Sequence, residues 1–285
     1  MKNSNFDIFH LVGSGELIAS DKYKKFATLN DHFIYTHRDF LYRKAEWRGS
    51  TQDRLIKHPS KFRGKTIIVG HSDWGTSPRQ SLAFKFMGAK ALCGINVCPW
   101  KNFSFPLPIG LTNDCDDSPV HRILGNENHF LSAYEISEPV QDFDGSIYAN
   151  FTVRNYVKER LPLQRLLMKL PNVSHSEVDM TDKGRISYLA NLRNASLIPC
   201  PRGNGVDTHR LWETLYMGGT PVLIRHPMME TLVSGLPVIL LDDWNLLADQ
   251  KKLEKLWQEA KSKDNFNKLN LSFWLKKLDA LNEIL

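Results

Sequence analysis

The segment 196–224 combines a glycine-containing loop with arginine and glutamate side chains. Gly203 and Gly205 lie in the loop, and Arg210 and Glu213 follow it at a spacing of three residues. Glycine lets the backbone approach a ligand closely, and arginine makes charge-assisted hydrogen bonds to phosphate oxygens. Residues three apart share one face of a helix. This pattern is typical of a nucleotide site, in which arginine holds a diphosphate and a carboxylate binds ribose hydroxyls.

A strand, the loop and a helix must position these side chains. Residues 196–199 form a short apolar run suited to a buried strand. Thr208 has the position of a helix N-cap, and Gly218-Gly219 is typical of a helix end. A loop in this place presents backbone N–H groups and the positive end of a helix dipole to an anion. The sequence therefore predicts a phosphate-binding strand–loop–helix unit.

These residues resemble the donor-binding motif of exostosin-type glycosyltransferases, a family with the GT-B fold. The matching segments are PRGNGVDTHR (201–210), WE (212–213), GGTPV (218–222), GLPVI (235–239), DDW (242–244) and YANFT (148–152). The resemblance covers roughly residues 146–247, which is the expected size of one domain. The first 145 residues match far less clearly.

The resemblance implies an α/β protein of the GT-B class, with two Rossmann-like domains that face a cleft. Residues 1–145 are expected to form the acceptor-binding domain and residues 146–285 the nucleotide-sugar-binding domain. The boundary is placed at the short polar segment QDFDG, 141–145. The last helix is expected to cross back onto the first domain, although an ordinary packing helix or a helix lying on a membrane surface also fits its amphipathic sequence.

By the same resemblance, the chain is expected to transfer a hexosyl or pentosyl group from a nucleotide-sugar to a glycan or glycolipid acceptor, as in polysaccharide biosynthesis. Inversion is favoured, and a UDP-sugar is favoured over a GDP-sugar. No spaced DxD pair follows a strand, so transfer without a metal ion is predicted. The predicted donor-binding residues are Thr152, Arg154, Arg202, Gly203, Asn204, Gly205, Asp207, Thr208, Arg210 and Glu213.

Each of these residues also has a purely structural alternative. The arginines could form surface salt bridges, and Arg154 could pair with Glu159. Glu213 could be an ordinary glutamate of a first helical turn. Asp207 and Thr208 fit a cap that orders the loop better than they fit direct ligands, although Thr208 could also donate to a phosphate.

The catalytic base is expected in the first domain, because transfer by inversion needs a carboxylate or imidazole near the acceptor hydroxyl. Asp73 and His71 are the candidates, since both directly follow the predicted strand 66–70. Their structural alternative is a cap or a loop contact. Asn113 and Asp114 could also face the cleft.

The alternation of apolar runs and helical patterns predicts parallel sheets in both halves. In the first half, strands are predicted at 32–36, 66–70 and 91–97, with a helix between the last two, whereas NFSFPLPIG at 102–110 is expected to be a proline-containing connection. Residues 118–135 are expected to form one or two helices. In the second half, strands are predicted at 147–151, 172–176, 197–199, 220–224 and 237–241, and helices at 155–169, 183–194, 247–261 and 271–284.

Composition and charge are those of an ordinary globular protein. The chain has 285 residues, 42% of them hydrophobic and 24% charged, which is enough for two domains. The net charge of +6 suits a ligand with two phosphates, but also nucleic acid or anionic lipid. Lysines and arginines are spread along the chain without a nucleic-acid-binding motif, so nucleic acid is not an expected partner.

Cysteine spacing and the N-terminal sequence indicate in which cellular compartment the protein is expected. Cys93, Cys98, Cys115 and Cys200 have irregular spacings without a zinc pattern, which favours reduced thiols. The first twenty residues lack the apolar run of a signal peptide. The expectation is a cytoplasmic protein, with peripheral contact to the inner membrane face as an alternative. A second hypothesis for function is a nucleotide- or carbohydrate-binding protein of the same fold without turnover.

Overall fold

The computed structural model describes residues 7–37, 59–70, 75–113 and 118–284. These residues form nine β-strands and eleven α-helices, and every strand pairing is parallel. The predicted α/β class with parallel sheets is therefore confirmed. None of the described helices is long and apolar enough to cross a membrane.

The first sheet has four strands, in the order β1-β2-β3-β4. They are β1 (Phe33–His37), β2 (Thr66–Gly70), β3 (Ala91–Ile95) and β4 (Ser104–Leu107). Every residue of β2 and β3 is buried, as the apolar runs predict for central strands. The segment expected to be only a connection contains β4, an edge strand in which Pro106 pairs with Gly94. An edge strand tolerates proline because one of its sides has no ladder partner.

The second sheet joins five strands. They are β5 (Ile147–Ala149), β6 (Val173–His175), β7 (Ile198–Pro199), β8 (Pro221–Ile224) and β9 (Ile239–Leu241). A parallel bridge between Ile147 and Leu197 connects β5 to β7, so the strand order is β6-β5-β7-β8-β9. The chain thus moves outward from β5 to β6 and then crosses to β7 on the other side. This reversal makes the carboxyl ends of β5 and β7 a topological switch point.

Helices connect and cover the strands. They are α1 (Ile8–Ser14), α2 (Ser20–Thr28), α3 (Pro78–Phe86), α4 (Pro119–Leu124), α5 (Asn128–Glu135), α6 (Val157–Leu167), α7 (Asp182–Arg193), α8 (His209–Tyr216), α9 (Pro227–Val233), α10 (Gln250–Lys261) and α11 (Leu271–Ile284). Helix α3 begins with a capping box between Ser77 and Gln80. Helix α8 ends before Gly218, whose φ of 74° is favourable only for glycine.

Helix α11 contacts the N-terminal part of the chain. The backbone N–H groups of Leu271 and Ser272 donate to the backbone carbonyl and the side chain of Glu16, at 2.8 and 2.7 Å. Trp274 is 1% exposed and belongs to the same apolar cluster as Ile8. The last helix thus contacts residues near the N-terminus, and its crossing back onto a separate first domain stays a prediction. The GT-B arrangement and the boundary at residue 145 stay predictions.

We expect Trp274→Ala to lower the free energy of unfolding by about 3–5 kcal/mol, because it removes a large buried side chain that holds α11 in place. Urea denaturation would measure the change. Lys276→Ala is the matched control, since Lys276 is exposed on the same helix and its loss should cost less than about 0.5 kcal/mol. Equal effects of the two substitutions would contradict the packing of α11 described above.

Candidate functional site

A cavity of about 540 Å³ lies at the carboxyl ends of β5, β6 and β7. Its walls include the segments that follow β5 and β7, so it opens at the switch point of the second sheet. Open parallel sheets bind ligands at this place, because the strand ends and helix starts on both sides leave a crevice there. The volume lies within the usual range of small-molecule sites. The first half contributes Ile109, Thr112, Val120 and Leu124.

The cavity brings together all but one of the predicted donor-binding residues. Those in its wall are Thr152, Arg154, Gly203, Asn204, Gly205, Asp207, Thr208, Arg210 and Glu213. Gly203 and Gly205 form a tight turn in which the N–H of Gly203 donates to the carbonyl of Gly205 at 3.0 Å. Arg154 and Thr152 are exposed at the rim. The alternative pairing of Arg154 with Glu159 is absent from the ion pairs of the described residues.

Arg202 departs from the prediction. Its side chain lines a separate cavity of about 190 Å³, whose walls include Tyr156 and His226. The guanidinium stacks on the Tyr156 ring at 4.4 Å and donates to the carbonyl of Asn204 at 3.1 Å. Arg202 therefore lies in the wall of a different cavity from that of Arg210.

Arg210 differs from the other charged residues of the 540 Å³ cavity in its contacts. Its Nη2 donates to Oδ1 of Asn150 at 3.2 Å, and its guanidinium carbon lies 5.2 Å from the centre of the Tyr188 ring. Its Nη1 is buried without a hydrogen-bond partner. Within the described part of the chain, no carboxylate forms an ion pair with it. A guanidinium is always charged, so Arg210 places a cation without an ion-pair partner among the described residues in the wall of this cavity.

Asn150 fixes the side chain of Arg210 from the other side of the switch point. Its amide nitrogen donates to the carbonyls of Ser176 and Glu177 and to the Ser176 hydroxyl, at distances of 2.7–3.1 Å. The amide oxygen is thereby left to accept from Arg210. Asn150 was part of the resembling segment 148–152 but was not predicted as a site residue.

Glu213 lies in the cavity wall with both carboxylate oxygens in hydrogen bonds. Oε1 accepts from Nη2 of Arg185 at 2.8 Å, and Oε2 accepts from the hydroxyl of Tyr188 at 2.7 Å. Burial would raise the pKa of Glu213, but the charge of Arg185 and these two hydrogen bonds hold that pKa below its ordinary value. Glu213 is therefore ionised at neutral pH and shares an ion pair with Arg185.

Thr208 occupies the N-cap position of α8, as predicted, but its side chain makes no capping hydrogen bond. The hydroxyl is buried without a partner in the cavity wall. A buried hydroxyl without a partner is costly in a folded protein. Thr208 thus holds the N-cap position without a capping side chain, and its contact with a ligand stays a prediction.

Asp207 is a buried bridge between the two halves of the chain. Its Oδ2 accepts from the backbone N–H of Ile109 at 2.7 Å, and its Oδ1 accepts from the indole N–H of Trp212 at 2.8 Å. Asn96 accepts from the backbone N–H groups of Val206 and Asp207. Burial raises the pKa of Asp207 to about 7, although the hydrogen bonds it accepts act in the opposite direction. Asp207 thus orders the loop, in agreement with the structural alternative.

Arg160 is a site residue that the sequence analysis missed. Its guanidinium donates to three backbone carbonyls, those of Thr152, Pro201 and Arg202, at 2.8–3.1 Å. It therefore joins the segment after β5 to the loop after β7. A signal was present in the sequence, because Arg160 shares one face of α6 with the buried Leu163 and Leu167. A charged residue on an apolar stripe has to find polar partners when it is buried.

The predicted catalytic residues Asp73 and His71 lie outside the described residues. The same holds for Asp114. Asn113 is described, and its side-chain oxygen accepts from the backbone N–H of Asp21 and the hydroxyl of Ser20, at the start of α2. Asn113 is thus a structural group rather than a cleft residue.

The cavity carries an excess of positive charge. Among its described lining residues, the arginines are Arg154, Arg160, Arg185 and Arg210, and the acids are Asp179, Asp207 and Glu213. The acid Glu213 is paired with Arg185, and the raised pKa of Asp207 weakens its negative charge near neutral pH. The arrangement favours an anionic ligand.

Comparison with known proteins assigns neither a family nor a function to the chain. No family model matches the sequence, and a search of curated proteins finds no match. The resemblance to exostosin-type glycosyltransferases therefore stays a prediction.

We expect the stability advantage of the wild-type chain over Asp207→Asn to shrink as the pH rises from about 4 to about 7. The folded-state pKa of Asp207 lies above its ordinary value of 3.8, so in this range the folded protein keeps a proton that the unfolded chain releases. The advantage should fall by up to ~1.4 kcal/mol per pH unit. Urea denaturation of both proteins across this range measures it.

Asp207→Asn also loses one hydrogen bond, because both partners of the carboxylate are donors. This cost should be present at every pH. Circular dichroism at each pH is the control that shows that both proteins are folded before denaturation. A stability difference that stays constant over the range would contradict the buried, protonated state of Asp207.

Proposed function

We propose that this chain is a glycosyltransferase of the GT-B class that transfers a sugar from a nucleoside diphosphate to a glycan or glycolipid acceptor. The observation that carries the proposal is the guanidinium of Arg210, which has no ion-pair partner among the described residues and lies beside the start of α8, in a cavity at the switch point of the second sheet. The class of reaction, sugar transfer from a nucleotide-sugar, is what the family resemblance implies. Both halves of the chain line the cavity, which is what a cleft between two domains requires.

The diphosphate of the donor would bind at the start of α8. Helix N-termini hold phosphate through N–H groups that have no partner within the helix, and Arg210 adds a charge-assisted hydrogen bond. Thr208 adds a hydroxyl donor from the same turn. When the bond from the sugar to the diphosphate breaks, these groups stabilise the negative charge that develops on the leaving diphosphate.

Glu213 would accept hydrogen bonds from the ribose hydroxyls. Each carboxylate oxygen can accept more than one hydrogen bond, so the contacts with Arg185 and Tyr188 leave acceptor capacity. The resemblance assigns this role to Glu213, and its position in the cavity wall three residues after Arg210 supports it. Ribose and diphosphate would then lie against one face of α8.

In the proposed reaction, a base removes the proton of an acceptor hydroxyl, whose oxygen forms a bond to the anomeric carbon on the side opposite the diphosphate. The bond between that carbon and the diphosphate oxygen breaks, and the diphosphate leaves with its electron pair. Asp73 or His71 is the proposed base. In the sequence both residues directly follow the segment of β2, and this is the reason for proposing them.

A binding protein without turnover is a second candidate. One observation favours it, because two of the three acids in the described cavity wall, Asp207 and Glu213, already have both oxygens in hydrogen bonds. The enzyme hypothesis therefore depends on a base outside these two residues.

We expect Arg210→Ala to weaken the binding of UDP about 10- to 100-fold, since it removes a charge-assisted hydrogen bond from a buried site. Isothermal titration calorimetry with UDP and GDP measures the affinity and shows which base is preferred. Arg165→Ala is the matched control, because Arg165 is an exposed arginine on α6 and lies outside the cavity wall. Unchanged affinity in Arg210→Ala would contradict the proposed diphosphate site.

We expect Asp73→Asn or His71→Asn to reduce sugar transfer by at least about 100-fold while UDP binding stays unchanged, because a general base acts on the acceptor and not on the donor. The assay measures transfer and donor hydrolysis over a panel of sugar nucleotides. Full activity in both variants would remove these residues as candidates. Donor binding without product from the wild-type chain would favour the binding protein.

A further inference from the structure

Two guanidinium groups lie against the ring of Tyr188. The guanidinium carbons of Arg185 and Arg210 are each 5.2 Å from the ring centre. The Tyr188 hydroxyl donates to Glu213 at 2.7 Å. The Tyr188 side chain thus contacts both arginines. It also contacts Glu213, the carboxylate with which either arginine could form an ion pair.

Glu213 pairs with the arginine that is distant in sequence. Arg210 precedes Glu213 by three residues on α8, a spacing at which arginine and glutamate commonly form an ion pair. The ion pair nevertheless forms between Glu213 and Arg185, at 2.8 Å, and no described carboxylate pairs with Arg210. Glu213 therefore forms its ion pair with an arginine of another helix, and not with Arg210 on its own helix.

Arg185 is held in place independently of Glu213. Its Nη2 also donates to the carbonyl of Leu124, the last residue of α4, at 2.9 Å. The side chain is 3% exposed and packs over the ring of Phe130 as well as that of Tyr188. These contacts fix the guanidinium at the position where it holds the carboxylate.

We propose that Arg185 is a positioning residue that keeps the charge of Arg210 available to an anionic ligand, because it holds Glu213 in a separate ion pair. The inference rests on the proposed function in that the ligand carries a diphosphate. Without Arg185, the carboxylate of Glu213 is free to pair with Arg210 and to neutralise it. Without both Arg185 and Glu213, the charge of Arg210 is available again.

The test uses inorganic pyrophosphate as the probe, with calorimetry on the full chain. Arg185→Met should weaken pyrophosphate binding by about tenfold or more, because it leaves a negative charge beside Arg210. The double variant Arg185→Met/Glu213→Gln should recover the lost affinity to within about threefold of wild type, because it also removes the negative charge. Lys183→Met is the matched control, since it removes an exposed charge from the same helix.

Rescue in the double variant separates this role from a structural one. If Arg185 only supported the fold, the double variant would bind pyrophosphate as weakly as Arg185→Met or more weakly. That result would overturn the proposal, and so would unchanged binding in Arg185→Met or no pyrophosphate binding by the wild-type chain. If Arg185→Met does not fold, Arg185→Gln replaces it, with the same expected loss of pyrophosphate binding and the same rescue by Glu213→Gln.

The outcomes also separate this inference from the proposed function. The predicted pyrophosphate pattern in a chain that binds no nucleotide would support the role of Arg185 and contradict the glycosyltransferase. If the chain binds nucleotide and transfers sugar, but Arg185→Met binds pyrophosphate as tightly as wild type, the glycosyltransferase is supported and the role of Arg185 is contradicted.

Discussion

The carboxylate of Asp207 holds the loop between β7 and α8 to both halves of the chain. It accepts from Ile109, which follows the first sheet, and from the fully buried Trp212 on α8. Asn96 supports the same loop by accepting two of its backbone N–H groups. Buried donors without an acceptor are costly, so these hydrogen bonds restrict the loop to one position. The start of α8 and the wall formed by the first half can line one cavity only because this loop is held.

Three of the arginines in the cavity wall are Arg160, Arg185 and Arg210, and the chemistry of their partners decides what each contributes. Arg160 donates to carbonyl groups, which satisfy its donors without neutralising it, and its role is to join two loops. Arg185 is neutralised by Glu213. Arg210 contacts an amide oxygen and an aromatic ring, which hold its position without an ion pair. A positive site results because only one of the three has a carboxylate partner among the described residues.

Much of this arrangement could be predicted from the sequence, and the exceptions have a common cause. The strand–loop–helix order fixes where the chain at 198–213 must run, so the glycines, Asp207 and Arg210 were found. Helix α11 was predicted with its observed ends at residues 271 and 284. Arg160, Arg185 and Tyr188 were missed because they lie on other helices, and a single sequence does not specify which helix face meets which loop. Arg202 was misplaced because the side-chain direction in a loop depends on tertiary contacts such as the one with Tyr156.

The two walls of the cavity differ in polarity, and this difference bears on how a ligand would lie. The second half contributes the charged side chains of the described wall and the start of α8, with apolar residues such as Phe151 among them, whereas the first half contributes uncharged residues, namely Ile109, Thr112, Val120 and Leu124. A diphosphate fits only the cationic wall, because an apolar wall cannot replace the water that a charged group loses on binding. A sugar ring has C–H faces that can contact apolar side chains. Under the proposed function, a nucleotide-sugar would therefore direct its sugar toward the first half, where the acceptor would have to bind for transfer.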